Sequence, residues 1–393
     1  MKILVDVRLL GRGTYSGIQE YTEQLLRHLY LADTTNHYRL FYTGFKKQPL
    51  PSWITDRPGT VLYDARIPNQ LLTTSFGFLH WPAIDRFTDA DLIFSPHFDL
   101  LHVRRTPRII TFHDLSFLHH PDFFNRKQAL WHWLQHYRKQ ACTADHIIAV
   151  SEFTKSDLHE LLHVPYEKIS VIYSGIHPAL HALPRDDAGL SAFREQKELT
   201  YPFLLYLGTL EPRKNVLAII RAFHLLKSKA EFQHYHLVLA GRPGWLYNDI
   251  VRAAQTSPYR DHIHFWGSVI PSHKTFLYNL ASAFVYPSFF EGFGFPPLEA
   301  QACGTPVVVS DRTSLPEIVG EHAPRVNPWS VLDLATAIEH VLTDTAYRNH
   351  LIHEGMRNAR LFTWEHTAHQ VLDLFDHVSP LSRHTTSKWE KTP

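Results

Sequence analysis

The sequence predicts an α/β protein with two domains, each built on a doubly wound parallel sheet, facing a central cleft. Three observations carry that expectation. Short β-rich runs alternate with helical stretches along most of the chain. The alternation is interrupted once, near the middle. The length, 393 residues, suffices for two domains, each with a core of its own. Alternation of this kind is what right-handed βαβ units produce.

The first strand is KILVDV, an apolar run that Asp6 and Arg8 end within a few residues. It is too short for the apolar region of a secretory leader. The helix GIQEYTEQLLRHLYLA follows. YRLFYTG, ADLIFSP, RIITFHD, HIIAV and ISVIYSG then read as buried strands of the first half. Before the last of these lies a helix opened by Ser151, a good N-cap, and stopped by Pro165. HPALHALPRDDAG is polar, carries two Pro and breaks the rhythm, so His177 to Thr200 reads as a linker. The second half runs FLLYLG, the helix NVLAIIRAFHLLKSKA, then YHLVLAG, IHFWG, AFVYPS and PVVVSD. The chain is mostly helical after that and ends its ordered part in WEHTAHQVLDLFDHV. The expected domains are residues 1–178 and 179–363, with a polar tail at 379–393.

Apolar residues make up 44% and aromatics 13%, the composition of a globular chain. With 39 basic and 38 acidic residues the formal charge is +1, which excludes a dedicated nucleic-acid binder. The 29 His would be part-charged near pH 6.5, so that balance holds only above it. Cys142 and Cys303 suggest no disulfide framework and fit a reducing, cytoplasmic compartment, with Cys303 reading as small packing. No run approaches the roughly 18 apolar residues of a membrane span.

In doubly wound sheets, ligands bind beyond the C-terminal strand ends. There the sharpest motif is YPSFFEGFGFPPLEAQACGTPVVVSD. Glu291 follows a strand, Gly292 and Gly294 allow close backbone approach, and Pro296 and Pro297 suit a first helical turn. N–H groups at a helix start bind phosphate. Glu299, eight positions after Glu291, is placed in that first turn, where an acceptor-only carboxylate can grip paired ribose hydroxyls. The alternative is a helix-start Glu favoured by the macrodipole.

EGFGFPPLE resembles the signature of retaining GT-B glycosyltransferases of family four. YLGTLEPRKN is similar to that family's phosphate loop, SGIQEYTEQLL to its N-terminal glycine loop, and TFHDLSFLHHPDFF and VSEFTKSDL to its middle segments. The likeness runs to about residue 377, and GTLEPRKN with HDLSFLHHP gives it the flavour of the mannosyltransferase-like branch of bacterial surface polysaccharide assembly. It implies a GT-B fold, two Rossmann-like domains, with the last helix, 364–378, returning to the first.

The resemblance also implies roles. Glu291 lies against the donor sugar hydroxyls. Backbone N–H groups of Phe293, Gly294 and Phe295 approach sugar and phosphates, and Glu299 holds the ribose. Lys214, beside Arg213, neutralises the leaving diphosphate. His113 faces the donor sugar from the other domain, and Gly17 sits near the phosphates. Where the family loop carries Arg one place after its Gly, this chain has Thr209, and Arg213 is the candidate replacement, since a guanidinium grips phosphate bidentately. The expected reaction is transfer of a hexose, mannose from GDP-mannose, to an oligosaccharide or lipid-linked acceptor, without metal or other cofactor. A UDP-sugar donor and a nucleotide-sugar epimerase are the alternatives.

Other motifs compete. HELLH, His159 to His163, has the spacing of a zinc hydrolase, but no Gly with a third His follows and the region some twenty residues on reads as linker. It reads as a helix with Leu158, Leu161 and Leu162 buried. Asp89 and Asp91 precede a strand and read as a turn rather than a metal site. Trp245 and Tyr247 read either as lining a base pocket or as packing. NRKQALWHWLQHYRKQA, with Arg126, Lys127, Arg138, Lys139, Trp131 and Trp133, reads either as a membrane-surface helix or as a solvated face over Leu130, Leu134 and Tyr137. LLTTSFGFLHWPAIDRF offers a second aromatic contact with an anionic membrane.

Overall fold

The computed structural model describes residues 1–11, 16–45 and 48–379. The polar tail from residue 380 lies outside the described residues. The chain divides into two compact units. One is Met1–Gly175 with the chain from Thr363 onward, and the other is Ile176–Phe362.

In the first unit the strands are β1 (Lys2–Asp6), β2 (His37–Thr43), β3 (Val61–Ala65), β4 (Leu92–Ser95), β5 (Arg108–Phe112), β6 (His146–Ala149) and β7 (Ile169–Val171). They form one parallel sheet in the order β3-β2-β1-β4-β5-β6-β7. The second unit holds β8 (Phe203–Leu207), β9 (His236–Ala240), β10 (Ile263–Gly267), β11 (Ala283–Tyr286), β12 (Val307–Ser310) and β13 (Arg325–Val326), ordered β10-β9-β8-β11-β12-β13 and again parallel. All five residues of β8 and all four of β11 are buried, as expected of parallel strands covered on both faces. Each order reverses once, between β1 and β4 and between β8 and β11. At such switch points adjacent loops diverge and open a crevice.

The sequence reading missed β3 and β13. β3 is an edge strand with mostly exposed or half-buried residues, so it lacks the apolar run of its neighbours. β13 is two residues long.

The segment read as a linker belongs to the second unit. Leu180, Leu190, Phe193 and Leu199 are buried, and Asp187 caps a helix, Ala188–Gln196, by accepting from Leu190 N at 2.8 Å. Its polar face and two prolines disguise it. The basic Trp-containing stretch is two helices, Arg126–Leu134 and Tyr137–Thr143, broken where His136 takes φ +49°. Leu130, read as core, is 56% exposed; Trp131 instead packs 6.0 Å from Phe98.

The last helix, Trp364–Val378, packs on the first unit. Trp364 meets Tyr21 at 5.6 Å, Phe375 meets Phe94 at 5.2 Å, and the Thr367 hydroxyl donates to Tyr173 O at 2.8 Å. Gly175 makes this fit possible, because a Cβ there would lie 2.1 Å from Trp364 N. Gly175→Ala is therefore expected to destabilise the fold by roughly 1–3 kcal/mol, the usual cost of overpacking. A lower urea midpoint would show it; an unchanged one would mean the backbone yields freely.

Candidate active site

The second unit's site grows from two loops flanking the β8/β11 switch. After β8 the chain turns through Pro212–Lys214, and Asn215 takes φ +57° to start the helix Val216–Lys227. Asn215 Nδ2 reaches Pro287 O at 3.2 Å and Pro328 O at 2.7 Å, tying this turn to two neighbouring loops. Arg213 Nε donates to Glu211 Oε1 at 3.1 Å, and its Nη1 donates to Phe290 O at 3.2 Å. Lys214 is buried and donates to Tyr286 Oη at 2.9 Å and to Glu291 Oε1.

Glu291 is equally buried. It also accepts from Ser288 Oγ at 2.8 Å, and its Oε2 lies 4.0 Å from Arg213 Nη1. Burial pushes its carboxyl up, but Lys214 and Arg213 outweigh that and hold it below the ordinary range. For Lys214, burial and then Arg213 lower the ammonium's pKa despite Glu291 and Glu211. Two cations, Arg213 and Lys214, and two carboxylates, Glu211 and Glu291, thus share a largely desolvated corner, the kind of charge cluster that marks a candidate functional site.

Beyond Glu291 the loop is held by Ser314, whose hydroxyl lies 2.9 Å from Glu291 O and 2.8 Å from Phe293 O. Gly294 takes φ +110°, and a Cβ there would press within 2.7 Å of Leu315. The helix Phe295–Ala302 starts next. Pro296 and Pro297 carry no N–H, so Phe295 supplies the only backbone donor of its first three positions. Glu299 is the fifth helical residue, not in the first turn as the sequence reading had it. Its side chain is 2% exposed, accepting from Lys274 Nζ at 2.9 Å and Tyr278 Oη at 2.7 Å. The structure therefore brings together Arg213, Lys214 and Glu291, follows them with Phe293, Gly294 and Phe295, and gives Glu299 partners of its own. Tyr247 packs edge-on against Phe265 at 6.0 Å, and Cys303 is buried.

Gly17 and His113 belong to the first unit. Gly17 opens the helix Gly17–Ala32 behind its cap Ser16, and a Cβ there would meet nothing within 4 Å. His113 follows β5. Its Nε2–H donates to Pro96 O at 2.8 Å, which leaves Nδ1 as the acceptor, and its ring meets the edge of Tyr21 at 4.7 Å. Burial holds its pKa down to about 4.

At the β1/β4 switch stands a network the sequence reading did not single out. Arg8 grips Asp6 through Nε at 2.8 Å and Nη2 at 2.6 Å, and Nη2 reaches Leu100 O at 3.2 Å. His97 Nε2 lies 3.8 Å from Asp6 Oδ1. Burial raises the Asp6 carboxyl, but Arg8 and His97 bring it to about 2. Charged residues directly after a buried strand, as in VDVR, were the available signal.

The competing motifs resolve locally. Ser151 caps the helix Glu152–Leu162 by accepting from Thr154 N at 3.1 Å, and Leu158 and Leu162 are buried. His163 has left the helix at φ +61°, while His159 Nδ1 is 2.9 Å from Val164 O and its ring packs against Tyr166, centroids 4.1 Å apart. The one-turn spacing a shared metal needs is thereby lost. Asp89 pairs with Lys2, and Asp91 accepts from Lys2 N at 2.7 Å, fixing the start of β1. Among the described residues no group of three His, Cys, Asp or Glu is placed to hold a metal ion.

Acid should weaken the fold before it reaches the carboxylates. His113, His132, His146 and His236 are all held near pKa 4, chiefly by burial. Unfolded, they titrate near 6.5. Between those values the unfolded chain binds more protons, so stability falls as pH drops from about 6.5 towards 4. Asp6 acts only below that window, since its stabilisation is lost between about 3.8 and 2. Urea midpoints at pH 7.5, 6 and 5 should decline in that order, and a flat series would refute the buried neutral imidazoles.

Two parallel α/β units with this loop arrangement define a GT-B glycosyltransferase fold. Sucrose-phosphate synthase from Thermosynechococcus elongatus superposes with a TM-score of 0.76 at 21% identity, covering 96% of this chain and 98% of that one. A model described as "Glycosyltransferase Family 4" matches residues 15–180, and one described as "Glycosyl transferases group 1" matches 190–357. The chain is 29% identical over 374 residues to O-antigen chain mannosyltransferase B of Escherichia coli, covering 92% of this chain and 96% of that protein. It is 32% identical over 242 residues to the serotype-specific mannosyltransferase WbdA of Escherichia coli, where the match spans 61% of this chain but only 30% of the relative. The chain belongs to the family-four glycosyltransferases and is a glycosyltransferase enzyme.

Proposed function

We propose that the protein transfers mannose from GDP-mannose, with retention at the anomeric carbon, to a growing lipid-linked polysaccharide such as O-antigen. The observation that carries this reading is the corner at the β8/β11 switch where buried Lys214 and Glu291 meet half-buried Arg213. Bond cleavage leaves two or more negative charges on the departing nucleotide, and preorganised cations in a dry site stabilise charge as it develops. Arg213 and Lys214 receive the diphosphate. Glu291 and the N–H groups of Phe293, Gly294 and Phe295 orient the sugar, and Glu299 takes the ribose. Mannose is favoured because the relative matching nearly end to end is an O-antigen mannosyltransferase.

The test is nucleotide release from GDP-mannose, UDP-glucose, UDP-galactose and UDP-N-acetylglucosamine, each with and without EDTA. GDP release coupled to acceptor extension, undiminished by EDTA, is the expected result. UDP release would transfer the reading to a UDP-sugar donor. Epimerised donor without nucleotide release would replace transfer altogether.

The acceptor's lipid suggests a peripheral contact on the cytoplasmic membrane face. Among the described residues no helix is long and apolar enough to cross a membrane. The first unit does expose Phe78, Leu79, Trp81, Leu130 and Trp133. Lys139 joins the two stretches, its Nζ 3.2 Å from His80 Nε2. Exposed aromatics beside Arg126, Lys127, Arg138 and Lys139 suit an anionic surface.

A further inference from the structure

Trp329 is 70% exposed, yet its setting is rigid. It follows β13, at the same end of the sheet as the Lys214 and Glu291 loops. Trp329 N donates to Asn327 Oδ1 at 3.1 Å, and Pro328 O accepts from Asn215 Nδ2 at 2.7 Å. Ser330 then caps the helix Val331–Thr343. The indole leans on Phe289, ring centroids 4.3 Å apart and planes 37° apart. Phe289 N in turn donates to Arg213 O at 2.9 Å. An aromatic plate is thus framed from three loops and stands two residues from Glu291. Leu332, also exposed, lies one helical turn further on.

Nothing in the fold requires a large apolar ring there, and leaving one in water forgoes a sizeable burial gain. Trp is among the residues enriched at the centres of binding surfaces. A pyranose fits it, because one face of the ring presents C–H bonds and the rim presents hydroxyls. We propose that Trp329, backed by Phe289, is a stacking subsite for a pyranose ring of the acceptor glycan. The donor's sugar is already provided for by the buried Glu291, whereas Trp329 stands outward of it in exposure. This rests on the transferase reading above.

The test uses full-length protein labelled with 5-fluorotryptophan, saturated with GDP, and α-linked mannotriose as the probe. The Trp329 fluorine resonance, identified by its absence in Trp329→Phe, should shift on titration. In transfer assays to the same probe, Trp329→Ala should raise the acceptor KM about tenfold, or ~1.4 kcal/mol. Trp329→Phe should fall between, and GDP affinity by calorimetry should stay within twofold. An unmoved resonance, or an acceptor KM within twofold of wild type, overturns the subsite. A raised donor KM with unchanged acceptor KM overturns it as an acceptor subsite. If the wild type releases no nucleotide from any donor, the transferase reading fails, while the fluorine titration still decides the stacking.

Discussion

Lys214→Ala should lower kcat by about 10²–10³, or roughly 2.7–4 kcal/mol. Negative charge on the departing diphosphate grows as the glycosidic bond breaks, so a fixed ammonium is worth more in the transition state than in the ground state. The setting strengthens the expectation, since Lys214 is 7% exposed and held by Tyr286 and Glu291. Nucleotide-sugar affinity should fall as well. The substitution also leaves Glu291 without its nearest cation, so thermal midpoints must be compared alongside rates. Lys214→Arg, which keeps the charge, should recover part of the loss. A raised KM with wild-type kcat would make Lys214 a uniform binder only. Arg213→Ala should cost less if Arg213 serves binding alone, and as much if it replaces the arginine that Thr209 displaces.

Glu299→Gln should weaken nucleotide binding by about 10- to 150-fold, since a hydrogen bond to a charged group is worth roughly 1.5–3 kcal/mol. A carboxylate offers about four acceptor sites. Lys274 and Tyr278 occupy one on each oxygen, leaving capacity for ribose hydroxyls. Isothermal calorimetry with the free nucleotide is the measurement. An unchanged affinity would reduce Glu299 to an internal partner of Lys274 and Tyr278.

What the sequence revealed follows from how local each signal was. Buried parallel strands such as FLLYL announce themselves by continuous apolar runs, whereas β3 and β13 have none. The loop pairing of Lys214 with Glu291 was reachable because each residue follows a strand within a recognisable motif. Asp6, Arg8 and His97 were missed because their meaning lies in strand order: β1 and β4 are distant in sequence and adjacent only in the folded sheet. The break at His136 and the helix position of Glu299 depend on backbone angles of one or two residues, which periodicity does not resolve.

The return of the last helix to the first unit has a consequence for synthesis on the ribosome. Tyr21 and Phe94 wait for Trp364 and Phe375, which emerge only after all of Ile176–Phe362 has been made. At about 5–20 residues per second, that is on the order of ten to forty seconds. During this interval the first unit carries an uncovered apolar seam, while the second unit, Ile176–Phe362, is already contiguous in the chain. A nascent chain stalled before Thr363 should expose that seam to chaperones and proteases, and one released at Ser379 should close it.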